Sequence, residues 1–373
     1  MIIESLLSVY LDVNIVLIFA AVIWFGTKHL LAKSRLKHAF LAQLQMLYAV
    51  LLTVALTPVI LFGFETLRQS GLLGSTTAFN LSDFVVSQYL NGNIALAPTQ
   101  FQKLLMLRSE LTQDIITMST LLAQMIVGVG VLGFGYCMAK TLFNACKISR
   151  LISRAYVLRR HGHVDVRVTH EIGVPFSTRG LWRHYVVLPT TILAQSNDAR
   201  VAVSHELQHV RQRDLAWEII LETLRPVFFW NPAFSLMKRE VEKFRELACD
   251  QQVLSHKPFS VKEYCDCLLR VCRASLGHRR NQLMSHSVPF AHLDQSTRGH
   301  GSKSFLKRRV LSMLALTRNP GGAVTLVLML SVMVSVTTMT IIAQPASGWS
   351  QDRLMLSTIV NLERLEMRNS SGN

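Results

Sequence analysis

Four stretches of the sequence are long and apolar enough to cross a lipid bilayer. Residues 39–64, 115–139 and 319–343 carry no charged side chain, and residues 6–25 carry only Asp12. A spanning helix needs about 20 mostly apolar residues. Only 17% of the chain is charged, against about 25% in soluble domains. A single such stretch could be a buried core helix, but four together predict a multi-span α-helical membrane protein with four transmembrane helices.

The first apolar stretch is interpreted as a retained span rather than a signal peptide. The basic residues follow the stretch instead of preceding it, and no A-x-A cleavage pattern ends it. The chain is therefore divided into a membrane region 1–139 with an outer loop 65–114, a soluble domain 140–318, a fourth span 319–343 and a short tail 344–373.

The charges of the connecting segments predict the orientation in the membrane. The link between the first two spans carries Lys28, Lys33, Arg35 and Lys37 and no acid. Residues 140–318 carry 29 basic and 14 acidic side chains, whereas loop 65–114 carries three basic and four acidic ones. Because cytoplasmic segments are enriched in Lys and Arg, the soluble domain is predicted to be cytoplasmic. The N-terminus and the tail would be periplasmic, in an inner-membrane protein of a Gram-negative cell.

The net charge of +16 is explained by this topology and by contact with anionic membrane lipids, without direct nucleic-acid binding.

Within the soluble domain, residues 164–168 and 185–189 have strand patterns, and the proline that ends the second suggests an edge strand. Helices are predicted from 196, from 231 to about 254, and from 260 to 276, with a loop over 277–304. The domain is thus of the α+β class.

Residues 205–209 form the pattern H-E-x-x-H on one of the predicted helices. His205 and His209 are four residues apart, so both imidazoles lie on one helix face and can reach one metal ion. Glu206 lies beside them, where it can act as a general base on a metal-bound water. The pattern predicts a Zn²⁺ site, since zinc lowers the pKa of bound water and polarises a carbonyl. Two surface histidines on a solvated helix are the alternative.

A catalytic zinc needs a third protein ligand, and the later helix offers several acids. Glu246 and Asp250 lie at positions i and i+4, so one carboxylate could bind the metal and the other could accept a ring N–H from a ligand histidine. Glu240 and Glu242 are nearby alternatives, and a glutamate on a helix is most often solvated. The residues alone leave the third ligand open.

Three motifs in this order resemble the BlaR/MecR-type membrane zinc metallopeptidases. They are residues 205–214 (HELQHVRQRD), residues 230–232 (WNP) and residues 246–250 (ELACD). The resemblance also covers the four-span layout and the 185–189 strand. It implies a gluzincin-like zincin domain with His205, His209 and Glu246 as zinc ligands and Glu206 as the general base. Asp250 would support a ligand, and Asp214 would support the helix.

The resemblance further implies a membrane zinc endopeptidase that relays a signal by cleaving a cytoplasmic repressor or itself. A substrate strand would pair with the edge formed by Tyr185, Val186, Val187 and Leu188. The 30 residues after Ala343 contain no S-x-x-K motif, so beta-lactam acylation is not expected. A non-proteolytic membrane transducer or scaffold, and a quality-control zinc protease, are the alternative functions. An oligomer is compatible with the sequence.

Two basic runs lie between the third predicted helix and the last span. They are Arg279-Arg280 and residues 307–309 (KRR). We expect them to contact lipid head groups, with a self-cleavage site in the loop as the alternative.

Overall fold

The structure, a computed structural model, describes residues 2–34, 36–70, 81–180, 182–256, 259–277, 288–289, 301–314, 321–342 and 351–370. It has two compact units. The first comprises Met1–Gly26, Tyr48–Val131 and Val327–Asn373, and the second comprises Thr27–Leu47 and Leu132–Leu326. The domain boundaries predicted at 140 and 318 stay predictions.

Three helices of the described residues are long and apolar enough to cross a membrane. They are α1 (Ile2–Ala32), α6 (Leu121–Arg154) and α12 (Gly322–Ile342). Their positions agree with three of the four predicted spans, although α6 begins six residues later than the predicted stretch and continues to Arg154.

The second predicted span is not one continuous helix. It is divided into α2 (Phe40–Ala55) and α3 (Thr57–Gln69), which meet at a bend of 57°. Pro58 explains the break, because proline has no N–H to donate to residue 54 and its ring clashes with the preceding turn. Proline is tolerated in the first turn of the new helix, where an N–H would have no helical partner. Four spans result only if the bent pair counts as one.

The first unit contains helices in the loop and in the tail that the sequence patterns did not predict. They are α4 (Leu81–Leu90), α5 (Pro98–Thr117) and α13 (Gln351–Ser370). The three helices pack around an apolar cluster of Val86, Phe101, Leu356 and Val360. The backbone N–H of Thr99 donates to Glu363 across a distance of 2.9 Å. Residues 81–117 and the tail helix therefore form one small helical module.

The second unit contains a five-stranded sheet. Its strands are β1 (Tyr156–His161), β2 (Val164–Thr169), β3 (Phe176–Arg179), β4 (His184–Pro189) and β5 (Val288–Pro289), in the spatial order β1-β2-β4-β3-β5. β2 and β4 are parallel, and the other pairs are antiparallel. Gly162 makes the tight turn between β1 and β2 with a φ of 54°, a conformation that glycine adopts without strain.

The prediction that Tyr185, Val186, Val187 and Leu188 form a free edge is wrong. These residues lie in β4, which pairs with β2 on one side and with β3 on the other, so its backbone is engaged on both sides. The run of consecutive apolar residues is typical of an interior strand. Pro189 is compatible with this position because it is the last residue of the strand.

Among the described residues, five α-helices lie wholly within the second unit: α7 (Ser196–Gln212), α8 (Asp214–Leu224), α9 (Pro232–His256), α10 (Val261–Gly277) and α11 (Gly301–Leu314). α7, α9 and α10 confirm the three predicted helices. α9 begins with proline in its first turn, and the Asn231 side chain accepts a hydrogen bond from the N–H of Ala233 at 3.0 Å. Of the predicted loop 277–304, residues 278–287 and 290–300 lie outside the described residues.

The core of this unit brings α7, α9, α10 and α11 against one face of the sheet. Its members are apolar side chains from all of these elements, including Val186, Leu188, Val201, Cys249, Leu268 and Met313. Burial of this size fixes the helices relative to one another, since each fully buried aliphatic side chain contributes about 1.5–3 kcal/mol. The functional side chains of α7 and α9 are thereby held in a rigid interior.

Candidate metal centre

Helix α7 presents His205 and His209 side by side, as their spacing predicts. Both side chains are fully buried, and their Nε2 atoms lie 3.1 Å apart. Ligand atoms of a tetrahedral zinc lie about 3.3–3.6 Å apart when the metal bonds are about 2.0–2.2 Å long. The two imidazoles are therefore spaced and oriented to share one metal ion.

Helix α9 brings Glu246 to the same two nitrogen atoms. Its carboxylate oxygens lie 3.6 Å from His205 Nε2 and 3.8 Å from His209 Nε2. These contacts are too long for hydrogen bonds, and neither buried oxygen has a hydrogen-bond partner among the described residues, although Arg309 Nη1 forms an ion pair with Oε2 at 3.2 Å. A buried carboxylate normally has such a partner, so Glu246 fits the role of a metal ligand.

The other acids considered for this role lie elsewhere on α9. Glu240 forms ion pairs with Lys28 and Lys243, and Glu242 accepts a hydrogen bond from Lys238 at 2.6 Å. Both carboxylates are thus engaged by lysines and do not face the two histidines. Among the acids that the sequence offered, only Glu246 converges with the Nε2 atoms.

Cys249 is a second candidate for the third donor. Its sulfur and the histidine donors lie within 4.8 Å of one another. However, Sγ lies 3.5 Å from Nδ1 of His205, which is the ring nitrogen on the side away from His209 Nε2. Burial, followed by the charge of Asp250, also raises the pKa of the thiol well above its usual value. By geometry Glu246 is the better candidate for a third ligand, because its carboxylate faces the two Nε2 atoms that could share one ion.

Asp214 supports His209 directly. Helix α7 ends at Gln212, and Arg213 adopts a left-handed conformation with a φ of 59° before α8 begins at Asp214. This turn places the Asp214 carboxylate 2.9 Å from His209 Nδ1. Burial lowers the pKa of His209, but the hydrogen bond to Asp214 and the nearby carboxylates outweigh it, so the pKa lies above its usual value.

Asp250 does not contact His205 directly, although the sequence predicted that one acid of the 246–250 motif would accept a ring N–H of a ligand histidine. The nearest Asp250 oxygen lies 3.5 Å from His205 Nδ1. The hydroxyl of Tyr264 lies between them, 2.6 Å from Nδ1 and 2.8 Å from Asp250 Oδ1. Burial lowers the pKa of His205 to about 4, so this imidazole is neutral and suited to binding a metal.

Glu206 is fully buried beside the ligand set. Burial raises the pKa of its carboxyl group to about 7. A general base works best when its pKa lies near the operating pH. The Ser177 hydroxyl of β3 is close enough to oppose this rise in pKa, which places β3 next to Glu206.

A comparison with known proteins bears on this site. The family model for BlaR1 peptidase M56 matches residues 30–295, which is more than half of the chain. This chain belongs to the BlaR1 peptidase M56 family. The family resemblance that the three motifs indicated is thereby confirmed.

Similar proteins cover only part of this M56 chain. The methicillin resistance mecR1 proteins of Staphylococcus aureus and Staphylococcus epidermidis are each 30% identical over 94 residues, which is 25% of this chain and 16% of the relative. The regulatory protein BlaR1 of Bacillus licheniformis is 25% identical over 115 residues, which is 31% of this chain and 18% of the relative. The chain thus matches less than a fifth of the length of these relatives.

One expectation for the basic runs of this M56 chain is wrong. Arg309 does not contact lipid, because its side chain is only 2% exposed and binds Asp250. Its neighbours Lys307 and Arg308 are exposed, and their contact with lipid stays a prediction. Sequence reasoning missed both Arg309 and Tyr264. Arg309 lies in an ordinary basic run, and Tyr264 has the helical spacing of a core residue, so neither carried a signal for the metal centre.

Proposed function

We propose that this chain is a membrane-bound zinc endopeptidase that relays a signal by cleaving a protein substrate. His205, His209 and Glu246 would hold the metal, and Glu206 would be the catalytic base. The convergence of Glu246 with the two Nε2 atoms in a buried site carries the proposal, because this donor set and spacing fit tetrahedral zinc.

Bound zinc would polarise the scissile carbonyl and make water a better nucleophile at neutral pH. Glu206 would take the proton of the attacking water on a carboxylate oxygen and then give it to the leaving amine. Its pKa of about 7 suits both transfers.

The chain itself is one proposed substrate. Residues 288–289, from the segment between α10 and α11, pair antiparallel with β3, with Val288 opposite Ser177 and Pro289 opposite Phe176. Ser177 is the β3 residue next to Glu206. A strand added here follows the usual way in which extended peptides bind, by main-chain pairing. β3, rather than β4, is therefore the proposed strand for substrate pairing.

A cytoplasmic regulator is the other proposed substrate. The name of the Bacillus licheniformis relative, a regulatory protein, supports a role in regulation. The module of α4, α5 and α13 would lie on the outer side and receive the signal. This requires the soluble unit to be cytoplasmic, as the basic link between the first spans predicts.

Reporter fusions after Arg160 should be cytoplasmic, and fusions after Asn93 periplasmic. A periplasmic Arg160 fusion would exclude a cytoplasmic substrate.

Substitution of Glu206 tests the proposed activity. Glu206→Gln keeps the size of the side chain and removes the base, so we expect unchanged zinc content and about 10²–10⁴-fold slower cleavage. The measurement is time-dependent fragmentation of the purified full chain in detergent, followed by mass spectrometry, together with metal analysis. Glu242→Gln on α9 is the matched control and should cleave normally. Equal fragmentation by Glu206→Gln would place the base elsewhere, and a zinc-loaded wild type without fragmentation would exclude the chain itself as the substrate.

A further inference from the structure

A continuous chain of hydrogen bonds runs from the metal ligand His205 to an arginine on another helix. The Tyr264 hydroxyl contacts His205 Nδ1 at 2.6 Å and donates to Asp250 Oδ1 at 2.8 Å. A hydroxyl has one proton, and a carboxylate can only accept, so the proton points to Asp250. The tyrosine oxygen must then accept the Nδ1–H of His205, which leaves the Nε2 lone pair free for the metal.

Arg309 anchors the other end of this chain. Its Nε and Nη2 atoms each donate to Asp250 at 2.7 Å, one to each carboxylate oxygen. Its Nη1 atom lies 3.2 Å from Glu246 Oε2. The guanidinium therefore binds both acids of the 246–250 motif. The bidentate contact with Asp250 fixes the plane of that carboxylate as well as its position.

The burial of this network distinguishes it from an ordinary surface ion pair. Tyr264, Asp250 and Glu246 are fully buried, and Arg309 is 2% exposed. Charges buried this deeply are tolerated only when paired and hydrogen-bonded. The arginine thus places its charge against the proposed third ligand as well as against Asp250.

We propose that Tyr264 and Arg309 are positioning residues of the metal centre, which set the orientation of His205 and Glu246 from helices α10 and α11. The proposal rests on the proposed zinc site.

The test measures the zinc affinity of the purified full chain by competition with a chelator. Tyr264→Phe removes only the hydroxyl and should weaken zinc binding about 10-fold, in the range found when a group that orients a metal ligand is removed. Arg309→Lys keeps the charge but loses the bidentate contact with Asp250, and should weaken zinc binding by a similar factor. Cobalt(II) in place of zinc should show altered visible absorption in both variants, since the ligand geometry changes.

Two control variants match these substitutions. Tyr89→Phe removes a hydroxyl that bonds the carbonyl of Leu96 in the other unit, and Arg308→Lys changes the exposed neighbour of Arg309. Both should bind zinc as the wild type does. The double variant Tyr264→Phe/Arg309→Lys should lose less affinity than the product of the two single losses, because both act through Asp250.

The outcomes separate this proposal from the proposed function. Zinc affinity within about 3-fold of wild type in Tyr264→Phe, with an unchanged cobalt spectrum, would overturn the positioning role. Removal of a group that orients a metal ligand normally weakens metal binding by about 10-fold or more. If Tyr264→Phe does not fold, Arg309→Lys decides by the same criterion. A wild type that binds zinc but cleaves nothing contradicts only the proposed activity, whereas a wild type that binds no zinc removes both proposals.

Discussion

Two regions of the second unit support the two histidines in different ways. His209 is held by the turn after α7, where Asp214 follows it by five residues and contacts Nδ1 directly. His205 is held by α10 and α11, through Tyr264 and then Asp250 and Arg309. The His205–Tyr264 and Asp250–Arg309 contacts each span 59 residues of sequence, and the Tyr264–Asp250 contact spans 14. The first support depends on local backbone geometry, whereas the second depends on tertiary packing. We expect the support of His209 by Asp214 to be intrinsic to α7 and the turn that follows it. We expect the support of His205 to respond to a movement of α11.

The largest effect in this comparison is expected for Asp214→Asn. The amide keeps the shape of the side chain but removes the charge that the buried His209 Nδ1–H faces. Hydrogen bonds to charged groups contribute about 1.5–3 kcal/mol, against about 0.5–1.5 kcal/mol for neutral ones. Zinc affinity should therefore fall by nearly 100-fold, which is about the upper limit for the loss of a group that orients a metal ligand. This loss should exceed the loss in Tyr264→Phe. Chelator competition on both variants measures the difference.

Asp165→Asn serves as the control for this substitution. Asp165 is also a buried aspartate with basic partners, among them Arg183 at 2.9 Å, but it lies on β2 and contacts neither histidine. Its variant should keep the zinc affinity of the wild type. If Asp214→Asn weakened zinc no more than Tyr264→Phe does, the direct and the relayed supports would be equivalent, and the distinction between the two regions would be lost.

The local part of the site could be predicted from the sequence because helical spacing determines it. His205 and His209 meet on one face of α7, and the H-E-x-x-H pattern already placed Glu206 beside them. Glu246 needed the family resemblance in addition, since Glu240 and Glu242 have similar surroundings in sequence. Their lysine partners, Lys28 among them, become visible only in the folded chain.

The long-range part could not be predicted because packing decides it. Nothing in the sequence distinguishes Arg309 from the exposed Arg308, and only the fold buries one of them against Asp250. The position of β4 inside the sheet likewise depends on β3, whose four residues have no clear strand pattern. The bend at Pro58 is different: the proline was visible in the sequence, and its effect on a continuous helix follows from its missing N–H.

The smallest effect is expected for Cys249→Ala, which tests whether the region around His205 contributes a ligand or only support. Cys249 Sγ faces Nδ1 of His205, the nitrogen that already contacts Tyr264, so the sulfur lies on the supporting side of the ring. Removing it should change zinc affinity by less than about 3-fold, because the Nε2 atoms and Glu246 keep the three-ligand set. The small cavity should lower the free energy of unfolding by about 1 kcal/mol. Zinc titration and thermal unfolding of the same preparation measure both quantities. Loss of stoichiometric zinc in Cys249→Ala, with Glu246→Ala still loaded, would assign the third ligand to the cysteine.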